Sequence, residues 1–210
     1  MILRSKGTAQ ATEPRRLVVA SGNVGKCREI GRILVGFEVS SLADFAAVEF
    51  PEEGGDYFEN ARIKARVAAR ETGMACVADD SGLEVDALGG APGAYSARYA
   101  GVGLDDRGRL EALLEELKAF SAPRHARFFC AAAVALPDGR CETTEGICPG
   151  EILMAPRGRG GFGYDPIFQP LGFDRAMAEL ARDEKDALSH RGRAFRSLRP
   201  AIDRLLVRDD

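Results

Sequence analysis

The stretch LVVASGNVGKCREIGRIL, Leu17 to Leu34, changes its hydrophobic period partway along. Leu17 to Ala20 is a short continuous apolar run, as a buried strand requires, whereas Cys27, Ile30 and Leu34 recur at helical spacing. Ser21-Gly22-Asn23 lies between the two and offers turn and N-cap chemistry. Strand, tight turn and helix in that order open an α/β domain.

The rest of the chain continues the alternation and then departs from it. Phe37 to Ser41 reads as a second strand. Asp56-Tyr57-Phe58-Glu59 resembles a capping box, opening a helix that runs to about Thr72 and stops at Gly73. Met74 to Ala78 is a further buried strand, expected to end at Asp79 and Asp80. Asp105 to Phe120 is an amphipathic helix with Leu110, Leu113, Leu114 and Leu117 on one side. Arg127–Leu136 and Arg140–Cys148 flank Pro137-Asp138-Gly139, a hairpin signal. A last helix spans about Ser189 to Val207, with Pro200 expected to kink or divide it. The expected architecture is α/β: a mixed central sheet flanked by helices, in two lobes with a cleft between them. Residues 17–210 form the single domain, and residues 1–16 read as a disordered N-terminal extension.

Composition narrows the function. A net charge of −3 on 210 residues lacks the basic excess of a nucleic-acid binder. No apolar run approaches the ~20 residues of a membrane span, and residues 1–16 lack a signal-peptide core. The expected compartment is the cytoplasm. Five cysteines without C-x-x-C spacing, beside only two histidines, point away from a zinc site or a disulfide framework. Only five of the 29 basic side chains are lysines. Each therefore draws attention, because a compact ammonium suits phosphate oxygens.

Several stretches can carry chemistry, and each has a plain structural alternative. Ser21-Gly22-Asn23-Val24-Gly25-Lys26 has the geometry that holds phosphate on backbone N–H groups, or is an ordinary βα turn with a surface lysine. It is not a Walker A loop, since Ala20 and Cys27 stand where that motif needs Gly and Ser/Thr. Asn60 and Lys64 share a helix face. Glu52 and Glu53 are either solvated or hard oxygen ligands for Mg²⁺. Asp79-Asp80-Ser81 places two carboxylates where α/β sheets hold ligands, or forms an Asx-turn. Adjacent strand residues point opposite ways, so one aspartate can face a metal while the other braces the loop. Gly160 to Asp165 combines flexible backbone with aromatic faces able to stack a base. Lys185, His190 and Arg191 bring cations to a helix start, where anions are normally favoured.

Taken together, SGNVGK, FENARIKA, ADDSGLEVDALGGAPGAYSARYAG, GGFGYDPIF and EKDALSHRG resemble the inosine triphosphate pyrophosphatase family. The resemblance covers the chain from about Leu17 to Leu206. It implies a homodimer and Mg²⁺-dependent hydrolysis of nonstandard purine nucleoside triphosphates (ITP, dITP, XTP) to the monophosphate and pyrophosphate. Carried over by position, Ser21 to Lys26 hold the phosphates with help from Lys64. Glu52 and Asp80 bind Mg²⁺, Asp80 also serving as general base, and Glu53 is the alternative to Glu52. Ser81 touches substrate, while Phe162, Gly163, Tyr164, Asp165, Lys185, His190 and Arg191 enclose base and sugar. A pyrophosphatase for modified pyrimidine nucleotides and a non-catalytic nucleotide-binding module are the competing readings.

Overall fold

The computed structural model describes residues 15–101 and 103–207; the expected N-terminal extension, up to residue 14, lies outside them. The elements follow in the order β1 (Arg15–Val19), α1 (Val24–Ile33), β2 (Phe37–Ser41), α2 (Tyr57–Thr72), β3 (Cys76–Val85), β4 (Pro92–Gly93), α3 (Asp106–Glu116), β5 (His125–Ala135), β6 (Cys141–Ile152), β7 (Phe168–Pro170), α4 (Arg182–Leu188) and α5 (His190–Leu205). The sheet order is β2-β1-β3-β5-β6-β7, with the short β4 paired to β3. β1 is parallel to both neighbours, because α1 and α2 provide the crossovers, and every later pairing is antiparallel. The mixed α/β fold expected from the alternation of elements is the fold observed.

Helices cover both faces of the sheet, and the strand side chains sort accordingly. Leu17, Val19, Val77, Cys130, Ala132 and Val134 pack with Ile30 of α1, with Leu34 that caps its end, and with Phe195, Leu198 and Ile202 of α5. Val18, Ala20, Ala78, Ala131, Ala133 and Ala135 pack against Ala61, Ala65, Ala68 and Ala69 of α2. Alanine on both sides of that contact lets helix and sheet approach closely. A third cluster joins Leu83, Val85 and Phe128 to Leu110, Leu113, Ile167 and Phe168, forming the second lobe.

Local signals decide most boundaries. Asp56 caps α2 by accepting from the Phe58 and Glu59 amides, and Gly73 ends it at a left-handed φ of 68°. Glu59 pairs with Arg62 instead of returning to the cap, so the capping box is half made. Three expectations are corrected. β3 does not end at the aspartates but runs through them, because β5 offers a ladder partner all the way from Ala135 to Ala126. Tertiary pairing here overrides the poor strand propensity of Asp and Gly. α5 is a single helix through Pro200, held by the buried Leu198, Ala201, Ile202 and Leu205 on either side. β1 begins at Arg15, two residues earlier than expected, and Arg15 pairs with Asp203 of α5 at 2.6 Å.

Candidate active site

Because Asp79 and Asp80 are consecutive on a strand, their side chains leave opposite faces of the sheet. Asp79 faces α1 and α5. Its Oδ2 accepts from Arg191 Nε and Nη2 at 3.1 and 2.9 Å and from Ser81 Oγ at 3.0 Å, and lies 3.1 Å from Lys26 Nζ. Arg191 also donates to Glu29 Oε2 at 2.6 Å and to Ser81 Oγ at 2.9 Å. Glu29 in turn meets Lys185 at 2.7 Å, and Lys185 reaches Asp165 at 2.5 Å. Burial alone would raise the Asp79 carboxyl, but Arg191 and then Lys26 outweigh it and hold it well below the usual carboxylate range. On this face three cations (Lys26, Lys185, Arg191) meet three anions (Glu29, Asp79, Asp165), so the cluster is neutral in itself.

Asp80 faces α2. Its Oδ1 accepts from Lys64 Nζ at 3.0 Å and its Oδ2 from Asn60 Nδ2 at 2.9 Å. Asn60 also accepts from the Gly54 amide and donates to the Gly54 carbonyl, both at 2.9 Å, which pins the acidic loop beside Asp80. Glu53 is thereby set against Lys64 at 2.8 Å, whereas Glu52 is exposed and takes part in no ion pair among the described residues. Burial raises the Asp80 carboxyl and Lys64 only partly offsets it; Glu53 is lowered, its burial outweighed by the bond to Lys64. Here two carboxylates share one ammonium, leaving an excess of negative charge.

The turn between β1 and α1 stands where the two faces meet. Asn23 caps α1 by accepting from the Lys26 amide at 3.1 Å, and Ser21 Oγ accepts from the Asn23 amide at 3.1 Å. The first N–H groups of α1, from Val24 and Gly25, have no intrahelical acceptor. Beside this turn opens a cavity of about 110 Å³. Asn23, Lys26, Ser81, Lys185, His190 and Arg191 line it with the Phe162–Asp165 segment. Phe162 lies under the Lys185 ammonium, 4.8 Å from the ring centre, and His190 stacks on Phe128 at 4.7 Å. Burial, then Arg191, pushes the His190 imidazole well below its ordinary value. Ser21, Gly22 and Val24 border a neighbouring groove instead.

The structure thus brings most of the anticipated residues together and alters the duties of some. Asp79 does not brace a loop; it is the central anion of a buried network. Arg191 is embedded in that network, with one Nη1 N–H beyond its bonds to Asp79, Glu29 and Ser81. Glu29 escaped attention in the sequence, and Asn60 was noted only for sharing a helix face with Lys64. The available signal was helical spacing: Glu29 stands three residues after Lys26, and Asn60 four before Lys64. Among the described residues no group of three or more His, Cys, Asp or Glu side chains gathers to hold a metal alone. Glu53 and Asp80 are two hard carboxylates converging on the Lys64 ammonium, a pair that could hold a divalent cation.

Comparison with known proteins agrees with this picture. The model of the Ham1 family matches residues 17–201. A dITP/XTP pyrophosphatase of Bacillus anthracis is 48% identical over 90% of this chain and 96% of its own length. One from Streptomyces avermitilis is 48% identical over 91% and 98% respectively. Among solved structures, a HAM1 protein from Coxiella burnetii superposes with a TM-score of 0.80 at 39% identity, covering 90% of this chain and 99% of its own. A nucleoside-triphosphatase / dITP/XTP pyrophosphatase from Mycobacterium abscessus gives 0.69 at 47% identity, covering 88% and 99%.

Proposed function

The chain belongs to the Ham1 family, and from that premise we propose that it hydrolyses nonstandard purine nucleoside triphosphates, dITP and XTP among them, to the monophosphate and pyrophosphate. One observation carries the reading: Lys26, from the Ser21–Lys26 turn, lines the cavity and its charge also acts on Glu53 and Asp80, the two carboxylates that meet on Lys64. The α1 N-terminus and Lys26 receive the phosphates, helped by Lys64. Asp80, with its raised basicity, accepts the proton of a water directed at the α-phosphorus. The bond to the bridging oxygen then breaks and pyrophosphate leaves. Glu53 and Asp80, in place of Glu52 and Asp80, are the carboxylates we assign to Mg²⁺, which would neutralise the negative charge of the phosphate oxygens. Ser81, Phe162, Gly163, Tyr164, Asp165, Lys185, His190 and Arg191 enclose base and sugar. Backbone amides facing the base edge reward a 6-oxo group and leave adenine's amino group without an acceptor.

The same reading takes the enzyme as a cytoplasmic homodimer acting on free nucleotides. Support comes from the net charge of −3 and from exposed Tyr95, Met154 and Leu171, apolar surface that a second copy could cover. No described helix is long and apolar enough to cross a membrane. The decisive experiment incubates the protein with dITP, XTP, ITP, dUTP and the standard triphosphates, counting pyrophosphate and orthophosphate separately. Pyrophosphate from the nonstandard purines, abolished by EDTA and restored by Mg²⁺, is the expected result. Equal rates on every triphosphate, or release of orthophosphate, would overturn the reading. Light scattering at twice the chain mass checks the dimer.

A further inference from the structure

One charged side chain at the cavity has no duty in the chemistry above. Arg109 is the fourth residue of α3, where a helix start disfavours a cation. Its Nε is buried without a hydrogen-bond partner. Its nearest carboxylate among the described residues, Asp106, stands 3.8 Å from Nη1, beyond hydrogen-bonding distance. The other oxygen of Asp106 is engaged by the Gly163 amide at 2.8 Å. Arg109 and Asp106 both line the cavity. A guanidinium in such a place, with its Nε unpartnered and only a 3.8 Å ion pair at Nη1, calls for an acceptor that substrate brings.

Its position along the cavity says which part of substrate that is. The floor follows β3 from Ser81, whose Oγ bonds Asp79 beside Lys26, to Leu83, roughly 7 Å away at ~3.3 Å per residue. The Leu83 amide donates to Ser96 Oγ at 2.8 Å, and the Tyr164 hydroxyl donates to the Ser96 carbonyl at 3.0 Å. Leu110, next to Arg109, packs in the same cluster as Leu83 and Tyr164. Arg109 therefore stands at the end remote from the phosphate turn. A purine joined to its sugar through N9 presents positions 6, 1 and 2 on the edge remote from the sugar. We propose that Arg109 reads position 2 of the base, rewarding the 2-oxo group of xanthine and opposing the 2-amino group of guanine. Hypoxanthine, with hydrogen there, gains and loses nothing. A guanidinium that only donates favours an acceptor and disfavours a donor, and the acidic imide of xanthine strengthens the effect. The 6-oxo group common to all three bases cannot make that distinction.

This inference rests on the pyrophosphatase reading, and the test separates the two. kcat/KM is measured for XTP, ITP and GTP with the wild type, Arg109→Ala and Arg109→Gln. Loss of a charged hydrogen bond should lower the XTP-to-ITP ratio about tenfold in both variants and raise GTP relative to ITP. The ratio takes ITP as its internal reference, so a general loss of packing leaves it unmoved. Ratios within twofold of wild type in both variants overturn the proposal while leaving the pyrophosphatase intact. If the wild type hydrolyses none of these nucleotides, the function falls. Dissociation constants of XMP and IMP then decide Arg109 alone: a tenfold smaller preference for XMP in the variants supports it, and an unchanged preference overturns it.

Discussion

The opposite-face placement of Asp79 and Asp80 predicts opposite consequences for two nearly identical substitutions. Asp79→Asn removes the charge that holds Arg191, Lys26 and Ser81 together, and leaves the fully buried Arg191 with Glu29 alone. Breaking a buried charge pair from one side costs about 3–5 kcal/mol. At ~2–4 °C per kcal/mol for a chain of this size, the melting temperature should fall by about 6–20 °C. Asp80→Asn leaves Lys64 its partner Glu53, and the new amide can still accept from Asn60, so the cost drops to about 1–3 kcal/mol. Turnover, however, loses its general base and should fall by about 10²–10⁴. Thermal denaturation and pyrophosphate release under saturating substrate measure the two effects separately. The reasoning fails if Asp79→Asn melts no lower than Asp80→Asn, or if Asp80→Asn keeps its turnover within about threefold.

His190 is buried and its pKa is pushed well below 6.5, so the folded state holds the imidazole neutral. A depressed folded value gives stability that is present above 6.5 and lost as pH falls from there toward the folded pKa. Melting temperature should therefore fall between about pH 7 and pH 5, and His190→Gln should flatten that slope; an unchanged slope in the variant would exclude His190 as its source. Packing supplies the last test. A Cβ on Gly146 would stand 2.1 Å from the His190 carbonyl oxygen and 2.4 Å from the Ala194 amide nitrogen, both rigid backbone. Gly146→Ala should cost at least ~1–3 kcal/mol, whereas Gly31→Ala in open space should gain ~0.5–1 kcal/mol. Urea denaturation of the pair checks the ordering.

What could be read in advance was whatever rests on local chemistry. β2 from Phe37 to Ser41, the Asp56 cap, the Gly73 stop and the β5–β6 turn follow from residues a few positions apart, and the structure holds all four. The length of β3 was not legible, because the pairing that extends it through Asp79 and Asp80 comes from β5, some fifty residues later. The same limit applies to the site. Lys185 and Arg191 stood out as cations in unfavourable places, but Glu29, which joins them, looks from its own neighbours like any helical glutamate. That Glu53 and not Glu52 meets Lys64 goes with Asn60 holding Gly54 at both its amide and its carbonyl, a loop geometry that sequence spacing does not encode.

Charge on the two faces of β3 also bears on the form in which substrate arrives. A triphosphate brings several negative charges to a site whose nearest lysines are already committed. Lys26 is paired with Asp79, and Lys64 is divided between Glu53 and Asp80. Phosphate alone would have to compete with buried carboxylates for both ammonium groups, against the repulsion of the two on the α2 face. A divalent cation accompanying the nucleotide would reverse that sign where the excess lies, and Glu53 and Asp80 are the residues that would hold it. The neutral cluster of Asp79, Arg191, Glu29 and Lys185 needs no such ion, so it can stay fixed while substrate enters and product leaves. On the proposed reading a divalent cation would belong with the α2 face, beside Glu53 and Asp80, and not with Asp79, whose charge Arg191 and Lys26 already balance.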